Sequence, residues 1–152
     1  MKMSRIHQVS ESKLQKWLLL LSLSLLSIYV PLSFADLGTA ARYSTPYLPT
    51  ECYGHDATVF PANSLFAAAG EGIWDNGAAC GRQYMVSCIS ANAPSSCVPG
   101  STIQVKIVDR AATAVSKASS RGAALVLSTT AFDQLVRPPS TTSINIMFQQ
   151  VS

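Results

Sequence analysis

From Asp36 onward, apolar and polar residues alternate with period two in several short runs. Ile103, Val105 and Ile107 are separated by Gln104 and Lys106. Ile144, Ile146 and Phe148 alternate with Asn145, Met147 and Gln149, and Tyr84, Val86 and Cys88 with Gln83, Met85 and Ser87. Successive side chains of a strand point to opposite faces, so each run predicts a strand with one face in a core. Leu65 to Ala69 and Ala123 to Leu127 predict shorter, more buried strands, and Gly38 to Tyr43 a first one. Turn clusters separate them at Ser44–Pro46, Pro49–Thr50, Trp74–Gly77, Ala93–Ser96 and Pro99–Ser101.

One short helix is predicted after Ser128, which can cap it. Phe132, Leu135 and Val136 share a face, Arg137 stands at the C-terminal end, and Pro138-Pro139 stops the helix. Ala111 to Gly122 is small and polar, with Lys117 and Arg121, and is expected to be an exposed loop. Six short strands and one helix describe a small closed barrel or a sandwich.

The first 35 residues follow a different pattern. A basic segment to Lys16 precedes an uncharged apolar run from Trp17 to Val30; Pro31 breaks it, and Ser33-Phe34-Ala35 supplies a small-x-small end. This is the form of a secretory signal cleaved after Ala35. The 16 residues from Trp17 to Leu32 span roughly 24 Å as a helix, short of the ~30 Å hydrocarbon core of a bilayer. The expected domain is therefore 36–152, with 1–35 as signal peptide and no stable membrane insertion after processing.

Composition sharpens this division. The 152 residues are 48% apolar and 12% charged, enough for one domain and against disorder. Residues 1–35 carry four basic residues against Glu11, whereas 36–152 hold seven basic and seven acidic ones. A body with zero formal charge has no excess of cations to neutralise phosphates, so no nucleic-acid partner is expected. In an oxidising compartment Cys52, Cys80, Cys88 and Cys97 read as two disulfides, with three pairings possible. No Cys-x-x-Cys is present, as a zinc knuckle would show, and His55 stands alone in the body, so no metal is expected.

Three stretches carry more than composition. They are Pro46-Tyr47-x-x-x-x-Cys52-Tyr53-Gly54, then Gly72-Ile-Trp74-x-Asn76-Gly77-Ala-Ala-Cys80-Gly81-Arg82-x-Tyr84, and Val105-Lys-Ile-Val-Asp109-Arg110. Leu127-Ser128-Thr-Thr-Ala131-Phe132 and a terminal Asn145-Ile-Met-Phe-Gln-Gln-Val151 follow. In this order they resemble secreted plant proteins with a family-45-endoglucanase-like domain, a group that includes plant natriuretic peptides and blight-associated proteins and is related to the first domain of expansins. The resemblance covers residues 36–152. It implies a mainly β fold, a six-stranded double-psi β-barrel, with disulfides Cys52–Cys80 and Cys88–Cys97. A further pair found in relatives is absent, because Ala111 stands at the position of one member; the loop after it is expected to be untied and mobile. The chain ends after the last predicted strand, so the second domain of expansins is not expected.

The resemblance also bears on chemistry. Inverting glycoside hydrolysis needs a carboxylic acid and a carboxylate roughly 6.5–9.5 Å apart. The glycosidase and expansin relatives place an Asp immediately before the Leu-Ser that opens the helix. Here that position is Val126, which cannot donate a proton, so no catalytic residue and no enzyme activity are expected. Asp109 matches a second family Asp; its alternative role is to cap a turn or pair with Arg110 or Arg82. Tyr43 and Trp74 join Asp109 as candidate ligand-binding groove residues, their alternative being core packing. Glu71 and Asp75 are read as solvated turn residues, not as a catalytic carboxylate.

The resemblance implies a non-catalytic, secreted apoplastic protein acting in water and solute homeostasis or in stress and defence. The alternative is a cell-wall polysaccharide-binding or wall-loosening module. Expected partners are a wall polysaccharide or a plasma-membrane receptor, with no cofactor and a monomeric state.

Overall fold

The computed structural model describes residues 12–23, 34–91, 96–113, 115–116, 122–137 and 141–151. Two units emerge, Met1–Ser33 and Phe34–Ser152. In the first, residues 12–23 form helix α1. No helix among the described residues is long and apolar enough to cross a membrane. Pro31 and Ser33 of the predicted leader, Lys117 and Arg121, and Pro138-Pro139 lie outside the described residues.

The second unit contains six strands: β1 (Asp36–Tyr43), β2 (Phe66–Ala69), β3 (Gln83–Ala91), β4 (Thr102–Arg110), β5 (Leu125–Ser128) and β6 (Ser143–Gln150). They close into a barrel in the order β1-β5-β2-β4-β3-β6. β1–β5 and β2–β4 are parallel pairs and the other four are antiparallel. Of the barrel and the sandwich that the pattern left open, the closed barrel forms, mainly β and of double-psi type. Every strand then has two neighbours, and no edge is left to template pairing.

The period-two runs aim inward as their spacing requires. Val86, Val105, Ile107, Leu125, Leu127 and Ile146 are fully buried in the main core. Ala40, Ala67 and Ala69 supply small side chains to the same core. Helix α3 (Thr129–Leu135) closes one end with Phe132 and Leu135. Its cap is Ser128, whose Oγ accepts from the Ala131 amide at 3.2 Å and donates to the Ser64 carbonyl at 2.7 Å. Val136 lies beyond the helix in extended conformation and bridges to Cys97.

Around Trp74 the structure departs from a simple turn. Glu71–Trp74 is one helical turn, α2, followed by a 3-10 turn at Asp75–Gly77. Asp75 and Asn76 take positive φ, which Asp and Asn tolerate better than other side chains. The loop after β4 is also not simply exposed: Ala111 and Ser116 are buried. The Thr113 hydroxyl donates to Asp109 and the Ser116 hydroxyl donates to the Arg110 carbonyl, so hydrogen bonds tie its first half where a disulfide is missing.

A strap from residue 44 to 65 joins β1 to β2 across the outside of the barrel. Two disulfides are present, Cys52–Cys80 and Cys88–Cys97, and no cysteine is free. The first anchors the tip of a turn in which Thr50 and Gly54 exchange backbone hydrogen bonds at 2.8 and 2.9 Å. Because the strap covers their outer face, β2 and β5 are buried at every position.

Candidate functional site

The strap's underside and four strands enclose a second apolar layer outside the barrel. Strand register builds it: Ala41 faces Val126, Val126 faces Ala68, and Ala68 faces Asp109. Those four residues form one row across β1, β5, β2 and β4. Asp109 joins the row only because the β2–β4 register slips between Ala67 and Ala68, skipping Val108. Alternation from Ile103, Val105 and Ile107 would aim residue 109 into the core. The bulge turns it outward instead, the usual use of a bulge beside a site.

In this row Val126 and Asp109 are two strand spacings apart, roughly 10 Å between backbones. Val126 is fully buried among Tyr43, Phe66, Ala68 and Val108. Tyr47, Tyr53 and Phe60 from the strap pack over them. Tyr43, Tyr47, Phe60 and Phe66 form a chain of ring contacts with centroids 4.6 to 6.4 Å apart. The Tyr47 hydroxyl receives the Thr129 amide at 3.2 Å, fastening the strap to the helix cap.

Asp109 has no exposed surface. Its Oδ1 accepts from the Glu51 amide at 2.7 Å and the Arg110 amide at 2.8 Å, and its Oδ2 accepts from Thr113 Oγ1 at 2.8 Å. Of the two alternatives that the sequence left for it, turn capping is what it does. Neither guanidinium reaches it: Arg110 holds Glu71 at 2.9 and 3.1 Å, and Arg82 holds Asp75 at 2.8 Å. Glu71 and Asp75 are thus exposed but ion-paired.

Electrostatics follow from this enclosure. Burial pushes the Asp109 carboxyl above the usual carboxylate range; the three donors pull it back, and the charge of Glu51 adds to the rise. Burial first, then the charges of Asp109 and Tyr47, hold the Tyr43 phenol far above its ordinary value. Tyr43 is 2% exposed, and its hydroxyl has no hydrogen-bond partner among the described residues. The Arg110 hydrogen bonds lower Glu71, and the Thr58 hydroxyl and amide lower Asp56.

The structure therefore brings Tyr43, Asp109 and Val126 together but not Trp74. That indole packs in the main core, 5.8 Å beneath the Arg110 guanidinium. His55 is exposed on the strap. Clefts of about 370, 570 and 390 Å³ open elsewhere on the barrel, and Tyr43, Asp109 and Trp74 line none of these three. Sequence reasoning missed Phe60, Phe66, Glu51 and Thr113. The resemblance pointed to the groove, but only strand pairing reveals which aromatic residues fill it.

A family model of double-psi β-barrel domains, described as lytic transglycolase, matches residues 66–148. EG45-like domain containing protein 2 of Arabidopsis thaliana is 38% identical over 84 residues, 54% of this chain and 60% of its own length. An EG45-like domain containing protein of Citrus jambhiri is 35% identical over 121 residues, 78% of this chain and 83% of its own. Among solved structures, an apo expansin of Clavibacter michiganensis matches with TM-score 0.54 and 22% identity over 78% of this chain. A mutant of that expansin in complex with cellohexaose matches with the same TM-score and 21% identity. This chain spans 60% of the first of these relatives and 51% of the expansin. It belongs to the EG45-like, expansin-like family of double-psi β-barrel domains.

Proposed function

We propose that this chain is exported, processed after Ala35, and works in the extracellular wall space as a binding domain that cleaves nothing. The observation that carries the reading is Val126, an apolar side chain sealed in the row that holds Asp109. Hydrolysis needs a proton donor and a base that meet substrate. Valine offers no proton, and Asp109 is closed off beneath the strap with three donors already on its oxygens. Glu51, the carboxylate whose charge acts on Asp109, lies 3.8 Å from Arg110.

The ligand in this reading is a wall polysaccharide. An expansin with this fold was solved with cellohexaose, which supports that choice. Its physiological setting is water and solute balance or stress and defence in the apoplast, reached by wall contact. Incubation of purified residues 36–152 with β-glucans tests the proposal. No reducing ends appear, while insoluble glucan retains the protein. Reducing-end release that Asp109→Asn abolishes overturns it.

A further inference from the structure

Among the described residues, the strap packs over β1, β5, β2 and β4, while on the outside of β1, β6, β3 and β4 the side chains of Leu37, Asn145, Met147 and Gln104 stand bare. Register defines what this bare face presents. Leu37, Met147, Ser87 and Thr102 form one row across the four strands. Gln149, Met85 and Gln104 form the next, and Thr39 and Asn145 flank them on the far side. Lys106, opposite Gln83, stands at the edge of these rows. Its Nζ donates to the Val59 carbonyl at 3.1 Å and lies 5.4 Å from the Tyr53 ring, turned toward the strap.

Exposed apolar surface gathers on the same side. Outside α1, the exposed large hydrophobics among the described residues are Phe34, Leu37, Ile89, Met147 and Val151. Leu37 and Met147 stand in the first row, Ile89 at the β3 bulge, and the Val151 amide donates to the Gln83 carbonyl. Gln104 and Gln83 are joined through their side-chain amides, and Asn145 holds Ser90 at 2.7 Å. At the strap end the face runs into the cleft of about 390 Å³, lined by Asn63, Leu65, Gln83, Gln104 and Lys106 among others.

We infer that this face binds a neutral polysaccharide chain, at a site separate from the row of Tyr43, Val126 and Asp109. The inference rests on the function proposed above and adds the place of contact. A side-chain amide donates and accepts from one plane, which suits adjacent sugar hydroxyls. Methionine and leucine between the amides give the C–H faces of the rings apolar contact. The named rows from Leu37 to Thr102, from Gln149 to Gln104, and of Thr39 and Asn145 hold no charged side chain. Lys106 at their edge is turned to the strap, so the rows offer an acidic polymer no ion pair. The footprint of roughly 14 by 24 Å, from strand spacing and rise, is small for a protein partner. Stable protein interfaces cover about 800 Å² per partner and centre on aromatic or arginine anchors, and neither residue type stands in these rows. Closure of the barrel removes strand addition as an alternative.

Retention of residues 36–152 on amorphous cellulose, together with titration by cellohexaose, tests the assignment. Met147→Glu and Gln104→Glu each weaken binding at least tenfold with an unchanged melting temperature. Gln134→Glu, the same change on helix α3, leaves binding intact. Polygalacturonate competes poorly. If the unaltered protein binds neither probe, the function proposed above falls together with this site. If it binds and both variants bind equally well, only the site falls. Equal binding of polygalacturonate also overturns it, as does a Met147→Glu variant that merely converts a dimer to monomer.

Discussion

Val126 and Asp109 share a row across the sheet, and their environments set what each can do. An aspartate at position 126 would enter the apolar layer of Tyr43, Phe66, Ala68 and Val108, where the Tyr43 hydroxyl is the one buried side-chain donor that lacks a partner among the described residues. With at most that one hydrogen bond, burying a carboxylate there costs several kcal/mol. Val126→Asp should therefore lower the urea midpoint sharply and still release no reducing ends, since Asp109 stays enclosed. A stable, hydrolytic Val126→Asp would contradict this account. Asp109 makes a second prediction through linkage. Its folded pKa lies above the unfolded value, so the folded protein holds the proton more tightly. Stability from this group is complete below the unfolded value, about pH 4, and is lost as pH rises through the raised folded value. Asp109→Asn removes that loss. The stability difference between variant and parent should move in favour of the variant as pH rises, measured by urea melts from pH 4 to 8. A difference that moves the other way shows that the three donors outweigh burial.

At the scale of elements, most strands can be read along the chain because β-branched and aromatic residues recur every second position. Their order in the barrel cannot, since it depends on partners far apart, such as Ala40 with Leu125. The bulge skipping Val108 has no local mark either, yet it turns Asp109 from the core to the outer layer. Filling of the groove is hidden for the same reason: Phe60 and Phe66 look like isolated apolar residues until the strap folds back. Backbone partners such as the Glu51 amide leave no trace in side-chain identity. The strap itself depends on Cys52–Cys80, which closes a separation of 28 residues. Loop entropy gives that bridge about 3.5 kcal/mol and Cys88–Cys97 about 2.5, against a typical total of 5–15. Replacing Cys52 and Cys80 by serine should cost more, in denaturant melts, than replacing Cys88 and Cys97. Close packing where β2 enters α2 gives a sharper contrast. A Cβ on Gly70 would lie 2.2 Å from the Ala123 carbonyl oxygen, whereas one on Gly72 meets nothing within 4 Å. Gly70→Ala should destabilise strongly, and Gly72→Ala should be neutral or stabilise by about 0.5–1 kcal/mol.

At the scale of the whole molecule, the proposed cleavage between Ala35 and Asp36 falls at the first residue of β1. The first ladder contact of the barrel is Asp36 with Phe148, and β1 then runs between β5 and β6 to Tyr43. Cleavage after Ala35 leaves every strand pair in place. Loss of β1 separates β5 from β6, opens the barrel and uncovers the core around Leu125, Leu127, Ile144 and Ile146. A closed sheet has no intermediate that keeps five strands packed and hides their new edges, so the loss is cooperative. Residues 36–152 should melt in one transition, with both disulfides formed by mass. Residues 44–152 should show no cooperative melt and should scramble their disulfides. The secreted product should begin at Asp36 by N-terminal sequencing. A product that retains residues 1–35 refutes the processing step, and a cooperative melt of 44–152 refutes the role given to β1 in closing the barrel.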